Sequence, residues 1–380
     1  MRTIGVGMVG YGFMGRMHTY AYLSLPLVYE PAPAKIRLLG AATRTEASGK
    51  LAVEQGGYEF STRDYRDLLA REDIDVINCC TPNNLHRDVV VDAIRAGKHL
   101  YVDKPLACNL EQAQEIVQVE QEAEAAGLHR TRQMVHNYRY IPAVMRAKEL
   151  IEEGRLGRVY TFCLRYLHST NADPKRVLNW KSEKAAAGGG VLVDLGSHII
   201  DLTRFLLGDF RRVCAHPFTA ITERPDGKGG VRAVDTDDAC MMLAELESGA
   251  VGVLEASKLA TGANDEISID IRGSEGALLF NMMDPNWLKF YDNTVLEQPL
   301  GGRKGFLHIE AVQRYPKPAV LPGPKNTVGW MRFHIASMHE FVRRVVAGEP
   351  GNPSLRDGLR VHQVMDACYR SPGVWTNVEK

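Results

Sequence analysis

The sequence carries no excess of charge of either sign. Its 380 residues include 46 Lys and Arg and 46 Asp and Glu, which cancel. Without a net charge, the chain has no electrostatic preference for nucleic acid or for an anionic membrane surface. We therefore expect neither a nucleic acid nor a membrane among its partners.

Long apolar runs, signal-peptide features and paired cysteines are also missing. No run approaches the roughly 20 residues needed to span a bilayer, and the N-terminal segment lacks the cleavage pattern of a signal peptide. The seven cysteines are odd in number and form no CxxC pair, and Cys79 and Cys80 are adjacent in an apolar run. These features predict a cytoplasmic protein with reduced thiols.

Length and composition predict two globular domains. The chain is 45% hydrophobic and 24% charged, which is ordinary for folded proteins. In residues 1–136, short apolar runs alternate with amphipathic helical patterns, which is typical of a parallel sheet covered by helices. We therefore predict an α/β fold that begins with a Rossmann domain, a doubly wound parallel sheet. Its predicted strands cover residues 4–9, 36–43, 76–80, 99–102 and 132–136.

A glycine-rich turn follows the first predicted strand. Gly10, Gly12 and Gly15 form a GxGxxG pattern that encloses Phe13 and Met14, and a helical pattern follows. In a dinucleotide site, the first glycine permits the tight turn, the second admits the pyrophosphate and the third lets helix and strand pack closely. A purely structural turn has the same composition, but the strand before it and the helix after it favour a dinucleotide site.

The end of the second predicted strand bears on the choice of cofactor. An NAD-preferring site usually has an acidic residue there, against the ribose hydroxyls, whereas this chain has Thr43, Arg44 and Thr45. A guanidinium between two hydroxyls suits a 2′-phosphate better than a neutral diol. We therefore predict NADP or NAD, with NADP favoured; the alternative is that Arg44 stacks on the adenine of NAD.

From residue 137 onwards the pattern changes to successive strands. They are predicted at residues 159–166, 211–218, 239–246, 250–257, 266–272 and 277–281, with hairpin-like connections between some of them. We predict a second domain over residues 137–380, an α+β domain with a large, mostly antiparallel sheet and helices to one side.

A helical pattern with a polar stripe follows three glycines, Gly188 to Gly190. On one helix, Asp194, His198 and Asp201 fall at positions i, i+4 and i+7 and project from one face. The His198 imidazole suits proton transfer near neutral pH, and Asp194 would orient it. The alternatives are a structural histidine and a metal pair. No third histidine or cysteine lies at a ligand spacing, so we expect no metal.

Further motifs occur in order along the chain. They are TPNNLH at residues 81–86, DKPL at 103–106, NYR at 137–139 and EGRLG at 153–157. Together with the glycine-rich turn and the Asp194/His198 helix, they resemble the Gfo/Idh/MocA family of NAD(P)-dependent oxidoreductases over nearly the whole chain. The lysine-proline pair and the aspartate-x-x-x-histidine helix are the most specific of these elements.

This resemblance implies a role for each segment that follows a strand. It implies that Lys104 lies beside the nicotinamide and the reacting hydroxyl as a catalytic residue. Asp103 stands where the family's motif has glutamate, so its carboxylate is shorter by one methylene group. The residues that the resemblance implies for the cofactor site are Thr81, Pro82, Asn83, His86, Asp103 and Lys104.

The chemistry of alcohol oxidation agrees with these roles. A hydroxyl proton must be removed while a hydride leaves, so the site needs a base near neutral pKa and a positive charge against the developing alkoxide. His198 supplies the base and Lys104 supplies the charge. The predicted function is hydride transfer between NAD(P) and a secondary hydroxyl of a cyclic sugar, anhydrosugar or inositol.

The substrate and partner predictions depend on the second domain. Trp180 offers a flat face to a sugar ring, and Lys181, Tyr138 and Arg139 offer donors to hydroxyls of a polyol. In the resembled family the open face of the sheet makes subunit contacts, which implies a homodimer or homotetramer. Two alternatives stay open: an NAD-dependent glycosidase acting by transient oxidation, and a non-catalytic sugar-binding regulatory module.

Overall fold

The computed structural model describes residues 1–379, which divide into two compact units. The first comprises Met1–Asn137, Tyr315–Gly323 and Gly329–His362, and the second comprises Tyr138–Arg314, Pro324–Val328 and the chain from Gln363 onwards. The division by sequence, at residues 136 and 137, differs from this because a late helix packs with the first unit. Its apolar side chains Met338, Phe341 and Val342 share one core with Ile4 and Tyr22.

A six-stranded parallel sheet forms the centre of the first unit, which confirms the predicted doubly wound fold. The strand order is β3-β2-β1-β4-β5-β6, so the order reverses between β1 and β4. At such a reversal the carboxyl ends of the strands leave a crevice that binds ligands in sheets of this kind. The strands are β1 Thr3–Val9, β2 Lys35–Ala42, β3 Phe60–Thr62, β4 Val76–Cys79, β5 His99–Val102 and β6 Arg132–Met134.

Helices cover both faces of this sheet. One core joins the sheet to the fourth and fifth helices of the chain, and a second joins it to the first helix and to the late helix noted above. The helices up to residue 125 are α1 Phe13–Val28, α2 Glu46–Glu54, α3 Arg66–Leu69, α4 His86–Arg95 and α5 Leu110–Ala125.

Two details of the first unit differ from the sequence prediction. Strand β3 was not predicted, because three half-exposed residues give too short a pattern to recognise. The prolines at positions 26, 31 and 33 favour a loop over residues 25–35, but helix α1 continues to Val28 through Pro26. A proline inside a helix removes one backbone hydrogen bond. Because Pro26 lies in the last turn, the helix ends soon after it, with the Tyr29 N–H donating to the Leu25 carbonyl at 3.1 Å.

A nine-stranded sheet dominates the second unit and confirms the predicted mostly antiparallel architecture. The order is β16-β15-β14-β13-β7-β12-β11-β8-β17, and only β7 and β12 pair in parallel. A separate hairpin pairs β9 with β10. The strands are β7 Val159–Leu167, β8 Phe210–Phe218, β9 Glu223–Pro225, β10 Val231–Ala233, β11 Ala239–Leu246, β12 Val251–Ser257, β13 Glu266–Gly273, β14 Gly276–Asn281, β15 Trp287–Asp292, β16 Phe306–Glu310 and β17 Thr376–Asn377.

Helices of the second unit pack on one face of that sheet. A π-helical turn, Leu192–Gly196, leads directly into the helix that carries His198, and both contact β7 and β12. The remaining helices are α6 Pro142–Glu152, α7 Lys184–Ala187, α8 Ser197–Leu207, α9 Trp330–Ala347 and α10 Leu355–Arg370. Of these, α9 belongs to the first unit and α10 begins in the first unit and ends in the second.

Within residues 1–379 we find no helix with both the length and the apolar composition that a bilayer crossing requires. All seven cysteines carry free thiols.

Candidate active site

The three glycines of the turn between β1 and α1 have different structural constraints. Gly10 adopts a φ of +91°, and a Cβ there would meet the carbonyl of Cys80 at 2.6 Å. A Cβ on Gly15 would meet the carbonyl of Gly10 at 2.3 Å. Around Gly12, by contrast, a Cβ would have no neighbour within 4 Å. The protein itself therefore does not require glycine at position 12, whereas close approach of a pyrophosphate does.

The helix that follows is suited to bind phosphate. No side chain caps the N-terminus of α1 at Gly12, and the first N–H groups of a helix favour anions. Phe13 is 74% exposed, with its ring 5.8 Å from that of Trp330, and Met14 is half-buried in the first turn. These features fit a nicotinamide dinucleotide at the carboxyl ends of β1 and β4.

The hydroxyl groups beside Arg44 are engaged within the protein. Thr43 donates to the carbonyl of Thr45 at 2.9 Å. Thr45 caps α2 by accepting from the Ser48 N–H, and its hydroxyl donates to the Ser48 hydroxyl at 3.0 Å. Arg44 is exposed. Of the three donors on which the NADP preference depends, only the guanidinium remains available.

His86 connects the two segments that follow β4 and β5. Its ring is fully buried, with Nδ1 2.8 Å from the Pro105 carbonyl oxygen and Nε2 3.0 Å from that of Thr81. Burial lowers the pKa of His86, so the neutral ring donates to one of these carbonyls. Any effect of His86 on a cofactor therefore passes through the two segments. In the segment after β4, Asn83 follows Pro82, begins a 3₁₀ turn and is buried as well.

The segment after β5 presents Lys104 from a fixed backbone. Asp103 donates its N–H to the carbonyl of Cys79, and its carboxylate accepts the N–H of Lys104 at 2.8 Å. The Lys104–Pro105 peptide bond is cis. One carboxylate oxygen of Asp103 thus accepts a backbone N–H. The side chains of Asp103 and Lys104 are both half-buried.

In the second unit, Asp237 fixes the start of the segment that carries Asp194 and His198. Its carboxylate accepts the N–H groups of Gly190 and Leu192, both at 2.8 Å, and the Tyr369 hydroxyl at 2.6 Å. A Cβ on Gly190 would lie 2.0 Å from the Asp237 carbonyl oxygen. The close approach of these two backbones explains the need for glycine at position 190.

The prediction of a single α-helix through Asp194 and Asp201 was wrong at its start. Asp194 lies in the π-helical turn and His198 in the first turn of α8, so i, i+4 spacing on an ideal α-helix does not describe their relation. Such one-turn π segments are frequent at functional sites. The sequence also predicts an apolar stripe beside the polar one, and its four residues are all buried: Leu195, Ile199, Leu202 and Leu206.

His198 lies against a chain of hydrogen-bonded side chains. Its ring is 7% exposed and meets the rings of Tyr138 and Tyr166 edge-on, with centroids 4.8 and 5.7 Å away. The two tyrosine hydroxyls are 2.7 Å apart, and Tyr166 donates to Asp265 at 2.7 Å. His168 lies 3.1 Å from the same carboxylate oxygen. Burial, Tyr138 and Asp265 raise the pKa of Tyr166 well above its usual value, so Tyr166 stays neutral.

Asp194 and Asp201 have different partners. Asp194 is bound by two ammonium groups, those of Lys181 and Lys258, each at 2.8 Å. Asp201 is buried and accepts two hydrogen bonds from Arg139, at 2.8 and 2.5 Å. Within the described residues, no three His, Cys, Asp or Glu side chains group as metal ligands would.

The remaining predicted substrate residues differ in exposure. Trp180 is 38% exposed and is therefore not a core aromatic. Its neighbour Lys181 places Nζ 5.7 Å from the centre of that ring. Arg139 is 8% exposed, and Asp201 takes two of its N–H groups. Because these N–H groups bind Asp201, Arg139 holds α8 in place and does not offer them to a substrate hydroxyl.

Two family models match this chain and together cover most of it. The first, described as an oxidoreductase family with an NAD-binding Rossmann fold, matches residues 4–129, and the second, the GFO/IDH/MocA C-terminal domain, matches residues 144–279. The chain belongs to the Gfo/Idh/MocA family. This confirms the resemblance carried by the sequence motifs.

Individual relatives of this Gfo/Idh/MocA protein span its whole length. A levoglucosan dehydrogenase from Pseudarthrobacter phenanthrenivorans is 34% identical over 98% of this chain and 96% of the relative. A solved levoglucosan dehydrogenase in complex with NADH and L-sorbose is similar with a TM-score of 0.94 at 33% identity, over 100% of both chains. An inositol 2-dehydrogenase from Rhizobium meliloti is 24% identical over 97% of each chain. The chain is an oxidoreductase with an NAD-binding Rossmann fold.

Sequence reasoning assigned no individual role to four polar residues of the second unit. Lys258, Asp237 and Tyr166 each contact a predicted site residue or the backbone that carries one, and Asp265 accepts a hydrogen bond from Tyr166. Their common signal is a polar or charged side chain in or beside a buried strand, which a single sequence cannot distinguish from an exposed residue at a strand end.

Proposed function

We propose that this protein is a dehydrogenase that transfers a hydride between NAD(H) and a secondary hydroxyl of a cyclic sugar, anhydrosugar or inositol. The observation that carries the proposal is the likeness to levoglucosan dehydrogenase along the whole chain, at 34% identity. An anhydrosugar such as levoglucosan is therefore the first substrate to test. When bound, the nicotinamide supplies the hydride acceptor or donor.

In the proposed mechanism His198 takes the hydroxyl proton as the hydride leaves. Its burial between Tyr138 and Tyr166 supports this role, because a packed ring holds one orientation. Lys104 carries the positive charge that stabilises the developing alkoxide, and its backbone is fixed by Asp103. Trp180 and Lys181 bind the sugar. Tyr138, predicted to donate to the sugar, is only 4% exposed and contributes instead by packing against His198, and Arg139 contributes by holding Asp201.

The cofactor in this proposal is NAD(H) rather than NADP(H). The Thr43 and Thr45 hydroxyls bind protein groups, which removes much of the reason for favouring a 2′-phosphate. The solved levoglucosan dehydrogenase carries NADH. Arg44, exposed at the end of β2, then stacks on the adenine. Comparing KM for the two oxidised cofactors tests this point, and a KM for NADP+ well below that for NAD+ would restore the preference for NADP.

The proposed assembly is a homodimer or homotetramer formed through the uncovered face of the nine-stranded sheet. Exposed apolar side chains of β11 and β12 project from that face: Met241, Leu243, Val251 and Val253. In the sheet, Leu243 of β11 pairs with Cys214 of β8 on one side and with Val253 of β12 on the other. A second copy of the chain would cover this apolar row.

The test is a screen of anhydrosugars, aldoses and inositols with both cofactors, in which the appearance of reduced cofactor is followed by absorbance. We expect turnover with at least one anhydrosugar or inositol. His198→Ala should lower kcat by about 10² to 10⁴ and leave cofactor affinity unchanged. Activity within a few fold of wild type in that variant would exclude His198 as the base. Substrate hydrolysis without net cofactor reduction would indicate a glycosidase instead.

A further inference from the structure

The two ammonium groups that hold Asp194 differ in exposure. Lys181 Nζ lies 2.8 and 3.0 Å from the two carboxylate oxygens, and Lys258 Nζ lies 2.8 Å from Oδ2. The Lys181 side chain is 44% exposed, whereas the Lys258 side chain is only 11% exposed. One ion pair is therefore at the surface and the other is inside the unit.

The backbones of these two lysines also differ. Lys258 directly follows β12, donates its N–H to the Asp238 carbonyl at 2.9 Å and accepts the Asn171 N–H at 2.8 Å. Lys181 lies in the 3₁₀ turn Trp180–Ser182, within the connection between β7 and α7. The sheet thus fixes Lys258, whereas Lys181 extends from a connection.

This difference in exposure determines which of the two lysines can leave Asp194 for another partner. An exposed Lys–Asp pair contributes little and can be replaced by other partners at small cost. Removing one member of a buried pair leaves an uncompensated charge and is far more costly. Lys181 can therefore leave Asp194 for a substrate hydroxyl, but only if a second cation continues to neutralise the carboxylate. Lys258 is that cation.

We propose that Lys258 is a positioning residue of the active site, whose buried ammonium keeps the Asp194 carboxylate in place while Lys181 moves to the sugar. The kinetic part of this inference rests on the proposed dehydrogenase function. The part that concerns the position of Asp194 does not.

Lys258→Ala, Lys258→Arg and Lys181→Met test the division of roles, with Lys148→Ala as the matched control. Lys148 is another partly buried lysine of the second unit, paired with Glu152 at 3.3 Å on α6. We expect Lys258→Ala to lower kcat roughly 10- to 100-fold, because Asp194 loses its fixed counter-ion. Lys181→Met should instead raise KM for the sugar about tenfold with kcat nearly unchanged, as expected for a residue that binds the ground state and the transition state equally.

Two rescue experiments test whether Lys258 acts through its charge or only by filling space. Lys258→Arg should recover kcat to within a few fold of wild type. Added n-propylamine should raise the kcat of Lys258→Ala, whereas 1-propanol, which has the same shape but no charge, should not. Equal rescue by both compounds, or a kcat of Lys258→Ala within about threefold of wild type, would overturn the proposal.

If wild-type protein oxidises none of the sugars, the proposed function fails, and crystal structures then decide the inference about Lys258. The Asp194 carboxylate should leave its wild-type position in Lys258→Ala and keep it in Lys258→Arg and in Lys148→Ala. An unmoved carboxylate in Lys258→Ala would show that Lys258 does not position Asp194.

Discussion

At the scale of single residues, the three glycines of the turn after β1 differ in whether the fold itself requires them. Gly10 and Gly15 are required by the protein itself, because a Cβ on either would collide with backbone. Gly12 has open space around its Cβ position and an ordinary φ of −84°. The same sequence pattern therefore contains two glycines that the fold requires and one that only a bound ligand would require.

Gly12→Ala should consequently weaken cofactor binding without affecting stability. The added methyl group occupies the space through which a pyrophosphate approaches the backbone, so we expect Kd for NADH to rise about tenfold, or roughly 1.4 kcal/mol. Calorimetric titration with NADH gives Kd, and thermal unfolding without cofactor gives Tm, which should stay within about 1 °C of wild type. Gly15→Ala is the control and should lower Tm clearly. An unchanged Kd in Gly12→Ala would place the pyrophosphate elsewhere.

At the scale of secondary-structure elements, Asp237 determines how the His198 segment begins. The Asp237 carboxylate satisfies two N–H groups at the start of the π-helical turn, those of Gly190 and Leu192, and also binds Tyr369. Buried hydrogen bonds to a charged acceptor contribute more than neutral ones. The backbone at the start of the His198 segment is thus bound by a residue more than 40 positions later in the chain.

Asp237→Asn should destabilise the protein by about 1–3 kcal/mol. The amide cannot accept at both positions, so at least one of the backbone N–H groups loses its partner. Urea unfolding measures the loss, and Asp235→Asn is the control, because Asp235 accepts only one exposed N–H, that of Lys184, at 2.8 Å. Equal stability of Asp237→Asn and wild type would mean that the turn does not depend on this carboxylate.

Sequence patterns predicted elements well where periodicity is local. Five of the six strands of the Rossmann sheet were predicted because apolar spacing over a few residues defines them. The π-helical turn could not be predicted from local spacing, because the carboxylate that accepts its first N–H belongs to the distant Asp237. For the same reason the sequence indicated Asp194 and His198 but not Lys258, whose role depends on a contact across 64 residues of chain.

At the scale of the whole molecule, buried histidines are concentrated in the first unit. Burial lowers the pKa of His362 to about 3 and those of His99 and His339 to about 4. Burial also lowers the pKa values of three further rings, those of His18, His86 and His334. Each ring binds a proton more tightly in the unfolded chain, near its usual pKa of about 6.5. The Glu120 carboxyl has the opposite effect on proton binding. Burial raises its pKa to about 7, so it binds a proton more tightly in the folded chain.

The first unit should therefore lose stability as the pH falls from about 6.5 towards 4. Above pH 6.5 the rings are neutral in both states, and below it the unfolded chain takes up more protons. The opposing carboxyl of Glu120 offsets only part of this uptake. Urea unfolding at pH 7.5, 6 and 5 should show a falling free energy, with a smaller fall in His362→Gln, which removes one ring but keeps an acceptor for the Ala107 N–H. A constant free energy across this range would contradict the prediction.

The proposed assembly depends on the open face of the nine-stranded sheet. Leu243, in the middle of β11, is 48% exposed and lies between Cys214 and Val253 in an apolar row that β7 extends with Cys163. Leu243→Glu would place a charge in the centre of that row. Because a buried carboxylate without a partner is costly, the homo-oligomer should dissociate while each chain stays folded.

Size-exclusion chromatography with light scattering measures the mass of wild type and variant, and circular dichroism checks that the variant remains folded. Leu296→Glu is the matched control, because Leu296 is 84% exposed and lies outside the strands of the sheet. It should leave the assembly unchanged. A wild-type protein that is monomeric at micromolar concentration, or a Leu243→Glu variant of unchanged mass, would show that this face does not join copies of the chain. The apolar row would then need a different partner.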